Sequence, residues 1–101
     1  MVQGIGNGDG PIPIEIDPED IIKKFTIYIN ARSVLWDKPT ISFTQVVGQW
    51  NKLDPDRHVI GDLPGINWTA KDGTKGIFYP SDEPMAVVDE LSFKIDDSYL
   101  A

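Results

Sequence analysis

No cysteine occurs in these 101 residues. That absence removes disulfides, thiolate metal sites and cysteine nucleophiles together. Basic residues are scarce: 9 Lys and Arg stand against 16 Asp and Glu, for a formal charge of −7. A nucleic-acid partner would demand a concentrated basic patch. Lys23-Lys24 and the spaced Lys71 and Lys75 are the widest basic signals, and they read as ordinary solvated charges. The aromatics are not interleaved with Arg or Lys, so no base-stacking platform is expected. No apolar run approaches the roughly 20 residues of a membrane span. The N-terminus has no basic region followed by an apolar stretch, the mark of a secretory signal. The expectation is a soluble, cytoplasmic protein with neither nucleic-acid nor membrane role.

Signals for catalysis are equally thin. His58 stands alone in a loop, without a second His, so no metal or cofactor is expected. Asp54 and Asp56 near it read as turn formers. Gly4-Ile-Gly-Asn-Gly8 lacks the strand and helix that flank a phosphate loop. No Ser, His and acid are spaced to suggest a triad. The expectation is not an enzyme.

What is present fits one small domain with a thin core: 101 residues, 41 % of them apolar. The front end differs from the rest. Gly4, Gly6, Gly8 and Gly10 precede Pro11 and Pro13, and Asp9, Glu15, Asp17, Glu19 and Asp20 face no base over residues 1–20. Glycine entropy and missing proline donors oppose regular structure there. Residues 1–20 are expected to form a flexible acidic tail. A short helical turn is expected at 18–23, with Asp17 as N-cap and Pro18 at the first helical position.

From Phe25 the apolar period is two. Phe25, Ile27 and Ile29 alternate with Thr26 and Tyr28, the pattern of a half-buried strand. Asn30-Ala31 reads as a two-residue hairpin turn, which sets Ile29 opposite Arg32, Ile27 opposite Val34 and Phe25 opposite Trp36. In that register the inward sets of both strands coincide. Ala31 is the misfit, because a type I′ turn favours Gly at positive φ. Ser42-Phe43-Thr44-Gln45 is a capping box. Phe43, Val46, Val47 and Trp50 follow on one helical face, and Asp54-Pro55 ends the helix. After a connection over 51–65, strand signals return at Ile66, Trp68 and Ala70, at Ile77-Phe78-Tyr79, at 85–88, and at Leu91, Phe93 and Ile95. Phe43, Trp50, Trp68 and Phe93 are core by pattern. This order predicts an α+β β-grasp over residues 24–95, a mixed sheet of four to five strands crossed by one helix.

The stretch from Phe25 to Ile95 resembles the bacterial multiubiquitin-type domains, a ubiquitin-like family found with bacterial ubiquitination-like operons. Phe25-Thr-Ile-Tyr-Ile-Asn-Ala-Arg32, Ile41-Ser-Phe-Thr-Gln-Val-Val47 and Asp89-Glu-Leu-Ser-Phe-Lys-Ile95 carry the likeness. The chain departs from the pattern at Ala31, across 51–84, and in lacking a C-terminal Gly-Gly. The resemblance implies a protein modifier, activated at its C-terminal carboxylate and joined to a target or to another copy by an isopeptide or related bond. The partners it implies are a ubiquitin-activating-like enzyme, a ubiquitin-conjugating-like enzyme and a deconjugating peptidase.

Three regions are candidate sites. Residues 96–101 are expected to form an extended C-terminal tail, in which Ser98, Tyr99, Leu100 and Ala101 would reach into an activating enzyme. On the residues alone they are an ordinary loose end. Ile12, Ile14 and Ile16 alternate in a proline-stiffened segment suited to strand addition at a sheet edge, and equally to a plain linker. The outer sheet face is expected to carry Tyr28, Leu35 and Lys94 as a docking patch beside Thr26, Asn67, Thr69 and Ser92. Lys38, Lys52, Lys71 or Lys75 would accept a second copy in self-association or polymer formation. The alternative function is a non-conjugated interaction module that bridges partners through its sheet edge and acidic N-terminal tail.

Overall fold

A computed structural model describes residues 24–101. The expected acidic tail over 1–20, the turn at 18–23, and Ile12, Ile14 and Ile16 lie outside the described residues.

The first hairpin pairs β1 (Phe25–Ile29) with β2 (Arg32–Trp36). Its register is Phe25 to Trp36, Ile27 to Val34 and Ile29 to Arg32, as the shared inward pattern requires. Asn30 and Ala31 form the turn with φ of 49° and 67°. Both lie in the left-handed region that twists a two-residue loop to match its strands. Ala31 therefore carries strain of about 1–2 kcal/mol that glycine would not.

After β3 (Thr40–Ile41) comes α1 (Phe43–Leu53). Ser42 Oγ accepts from the Gln45 amide at 3.1 Å, and the Gln45 side chain accepts from the Ser42 amide at 2.9 Å. Two otherwise unpaired donors at the helix start are satisfied reciprocally. Phe43, Val46 and Trp50 are buried, while Gly48 faces solvent. Asp54 caps the other end through its amide to the Trp50 carbonyl, and Pro55 starts a 3-10 turn, Pro55–Arg57. Trp50 Nε1 donates to the Arg57 carbonyl at 2.8 Å, so the indole is buried without an unpaired donor.

The chain then forms β4 (Ile66–Thr69), β5 (Lys75–Phe78), β6 (Met85–Ala86) and β7 (Leu91–Lys94). The main sheet has the order β2-β1-β7-β4-β5. Among the described strands of this sheet, β1 and β7 run parallel and the other neighbours antiparallel. β3 and β6 make a separate two-stranded ladder. Among the described residues this is an α+β fold: a mixed five-stranded sheet and one α-helix. The central strands supply Ile27, Ile29, Leu91 and Phe93 to the core. Helix and sheet meet where Phe43 stands edge-on to Phe78, with ring centroids 5.8 Å apart. Each such fully buried side chain contributes about 1.5–3 kcal/mol.

Two expectations need correction. Trp68 is half-buried, not core. It faces Gly76 across the β4–β5 ladder, where a Cβ would come within 2.9 Å of the indole. With glycine there the indole packs close against the β5 backbone and lines a groove. The expected strand over 85–88 is also shorter: Met85 and Ala86 pair with the two residues of β3, and beyond them Val87 adds one amide bond, to the Pro39 carbonyl at 2.9 Å.

Candidate functional site

The face of the sheet away from α1 is built by the odd-even alternation of its strands. Ser33, Tyr28, Ser92, Thr69 and Lys75 lie in one row across all five strands. Leu35 sits one diagonal step from Tyr28 on β2 and is 70 % exposed. Lys94 lies one step from Tyr28 on the other side, exposed and 3.8 Å from the Asp97 carboxylate. Tyr28, Leu35 and Lys94 thus share this face, though Tyr28 is only half exposed. Hydroxyl-bearing side chains occupy the middle of the face, and its exposed apolar area lies at the two margins, at Leu35 on β2 and at Ile77 on β5. Lys38, Lys52, Lys71 and Lys75 are exposed, and Lys71 pairs with Glu90 at 3.1 Å.

The C-terminal residues are not an extended arm. Asp97–Tyr99 form a 3-10 turn. Asp96 Oδ1 accepts from the Ser98 amide at 2.9 Å and from Ser98 Oγ at 2.8 Å. These two bonds hold the Asp96 carboxyl below its usual pKa, the backbone bond most strongly. Beyond the turn the chain lies antiparallel against residues 58–60. Ile60 N–H donates to the Tyr99 carbonyl at 2.8 Å, and Ala101 N–H to the His58 carbonyl at 2.9 Å. These bonds flank Val59 and Leu100, which face each other as a bridge pair. Leu100 is 8 % exposed and belongs to the core cluster, with Tyr99 packed against it. Ser98 and Ala101 remain exposed.

The receiving edge is itself positioned by the helix, since Asn51 Oδ1 accepts from the Val59 amide at 2.8 Å. Asn30 acts at the start of the segment: its amide donates to the Phe93 carbonyl, and its Oδ1 accepts from the Ile95 amide at 2.8 Å. The physical reason for the fold-back is the apolar pair Tyr99-Leu100, which has a place in the core within reach of a six-residue excursion. Burying one leucine contributes about 2 kcal/mol, and each backbone bond about 1 kcal/mol net.

Two apolar grooves lie among the described residues. One, of about 450 Å³, is lined by Trp68, Ala70, Met85, Val88 and Leu91. The other, of about 360 Å³, runs beside α1 along Phe43, Val47, Val59 and Leu63. Sequence reasoning missed both, together with the Val59–Leu100 pairing, because each joins residues distant along the chain. Among the described residues, no helix is long and apolar enough to cross a membrane.

Comparison with known proteins matched no family model, no curated protein and no solved structure.

Proposed function

We propose that this chain is a bacterial ubiquitin-like modifier of β-grasp fold, activated at the carboxylate of Ala101 and conjugated by partner enzymes. The observation that carries the reading is the strand order β2-β1-β7-β4-β5, with a parallel central pair and one helix between β2 and β4. That arrangement is compatible with a β-grasp, and it supports the reading alongside the likeness of the three motifs between Phe25 and Ile95. The chemistry resides in partner enzymes. The carboxylate attacks the α-phosphate of ATP and expels pyrophosphate, leaving an acyl-adenylate. A cysteine thiol of the ubiquitin-activating-like enzyme displaces AMP and holds the acyl group as a thioester, and a cysteine thiol of the ubiquitin-conjugating-like enzyme then displaces that first thiol to take the acyl group over. A target amine or hydroxyl, such as an exposed lysine of a second copy, then displaces the thiol. A deconjugating peptidase would reverse the bond, all within the cytoplasm.

Intact mass after incubating the chain with ATP and those enzymes tests this. An adduct equal to the two components less one water, lost on deletion of Ala101, is the expected result. A chain that forms no adduct yet binds the same proteins would be the bridging module instead. That second reading is favoured by one observation, the 70 % exposure of Leu35 on the marginal strand β2.

A further inference from the structure

We propose that the C-terminal segment is a latch, held shut in cis by the edge at residues 58–60, and that it must peel away before the carboxylate can be activated. The inference rests on the modifier reading above. An enzyme that adenylates a terminal carboxylate has to enclose it, and so needs a free arm. Six extended residues beyond Ile95 would span about 20 Å. In the docked form that reach is consumed. The 3-10 turn takes up Asp97–Tyr99, and Leu100 is inserted in the core. Ala101 itself is exposed, but its amide is bonded to His58 O, which keeps the whole domain against the carboxylate.

The closure has three independent parts. The Asp96 carboxylate fixes the turn through Ser98. Arg57 and Lys94 each stand 3.8 Å from Asp97, from the receiving loop and from β7. Val59 and Leu100 form the bridge, with Asn51 of α1 fixing Val59 from behind. Tyr99 and Leu100 therefore have a role in the resting protein different from the one an activating enzyme would give them. Closed, they complete the core; open, they form the arm.

The geometry supplies its own test. The bonds at Ile60 and Ala101 flank the bridge, which makes Val59 and Leu100 a non-hydrogen-bonded antiparallel pair, the type whose side chains approach most closely. The natural chain has no cysteine, so Val59→Cys with Leu100→Cys introduces one defined disulfide. Release of pyrophosphate from ATP with the activating enzyme is measured for the oxidised, reduced and unaltered chains. The expected result is ready oxidation, at least a tenfold lower rate in the oxidised form, and recovery on reduction. Equal rates for the oxidised and reduced forms would overturn the latch while leaving the modifier reading intact. Failure of the pair to oxidise would overturn it as well. Should the reduced double variant be inactive while the unaltered chain reacts, Asn51→Ala replaces it, since it loosens the receiving edge and leaves the tail untouched. That variant should react several-fold faster, and an unchanged rate overturns the proposal. No pyrophosphate release from the unaltered chain would sink the modifier reading, and the latch with it.

Discussion

The hairpin with its following helix and the C-terminal third are held together in different ways. β1, β2 and α1 are specified by neighbours in the chain: a two-residue turn between strands of matching period, and a capping box within four residues. The C-terminal third depends on groups far away. The Asp89 carboxylate accepts from the Thr26 amide at 2.8 Å, Asn30 holds Ile95, and Val59 meets Leu100. β7 lies between β1 and β4, so it can pair only when the earlier strands are in place. Local elements pay little loop-closure entropy; long-range pairings pay it before any contact forms. The first region is therefore built to form early and the second to join it.

The comparison can be broken most severely at its seam. Phe93→Ala removes a fully buried ring that stands 6.5 Å from Phe78, between Ile29 and Trp68. A loss of about 3–5 kcal/mol is expected, read as a fall in the urea midpoint. A loss under 1 kcal/mol would mean that the two regions are not joined through this strand. Asn30→Gly comes next. It keeps the positive φ of the turn but deletes the acceptor for the Ile95 amide, with about 1–3 kcal/mol expected to be lost. Amide exchange at Ile95 should accelerate along with it; unchanged protection would assign the anchor elsewhere.

Local specification has its own tests. Ser42→Ala removes the N-cap oxygen and should cost about 1 kcal/mol, seen as a lower melting temperature with the same sheet signals. Ala31→Gly relieves the positive φ at the turn, and a gain of about 0.5–1 kcal/mol is expected in thermal unfolding. Destabilisation by that change would show that Ala31 is not strained. The smallest effect concerns acid. The Asp96 carboxyl is held below its usual value of 3.8 by its bonds to Ser98. The stability it lends is present above that value and is lost as pH falls through the lower folded-state pKa. The protection of the Ser98 and Leu100 amides, measured against their intrinsic exchange rates, should fall at acid pH before that of Ile27 does.

Much of the fold was legible because its signals are local. Alternation at Phe25, Ile27 and Ile29 identified a strand, and its agreement with Val34 and Trp36 set the register. Ser42 and Gln45 marked the helix start to the residue. Period alone misjudged Trp68, since alternation reports which face a residue occupies and not how well that face is covered. The candidate site was legible only in part. Tyr28, Leu35 and Lys94 could be assigned to one face because that follows from alternation and pairing.

The state of Ser98, Tyr99, Leu100 and Ala101 could not be read in the same way. Nothing within the last six residues distinguishes a loose arm from a docked one; the difference lies in whether Val59, held by Asn51 eight residues earlier, presents an open edge. The sequence by itself determined the hairpin, its register, the capped helix and the inward faces of the strands, because turn chemistry and side-chain period act over a few residues. Tertiary structure alone decided the order of the strands, the grooves and the closure of the C-terminal segment, because each depends on surfaces that exist only after distant parts of the chain have packed.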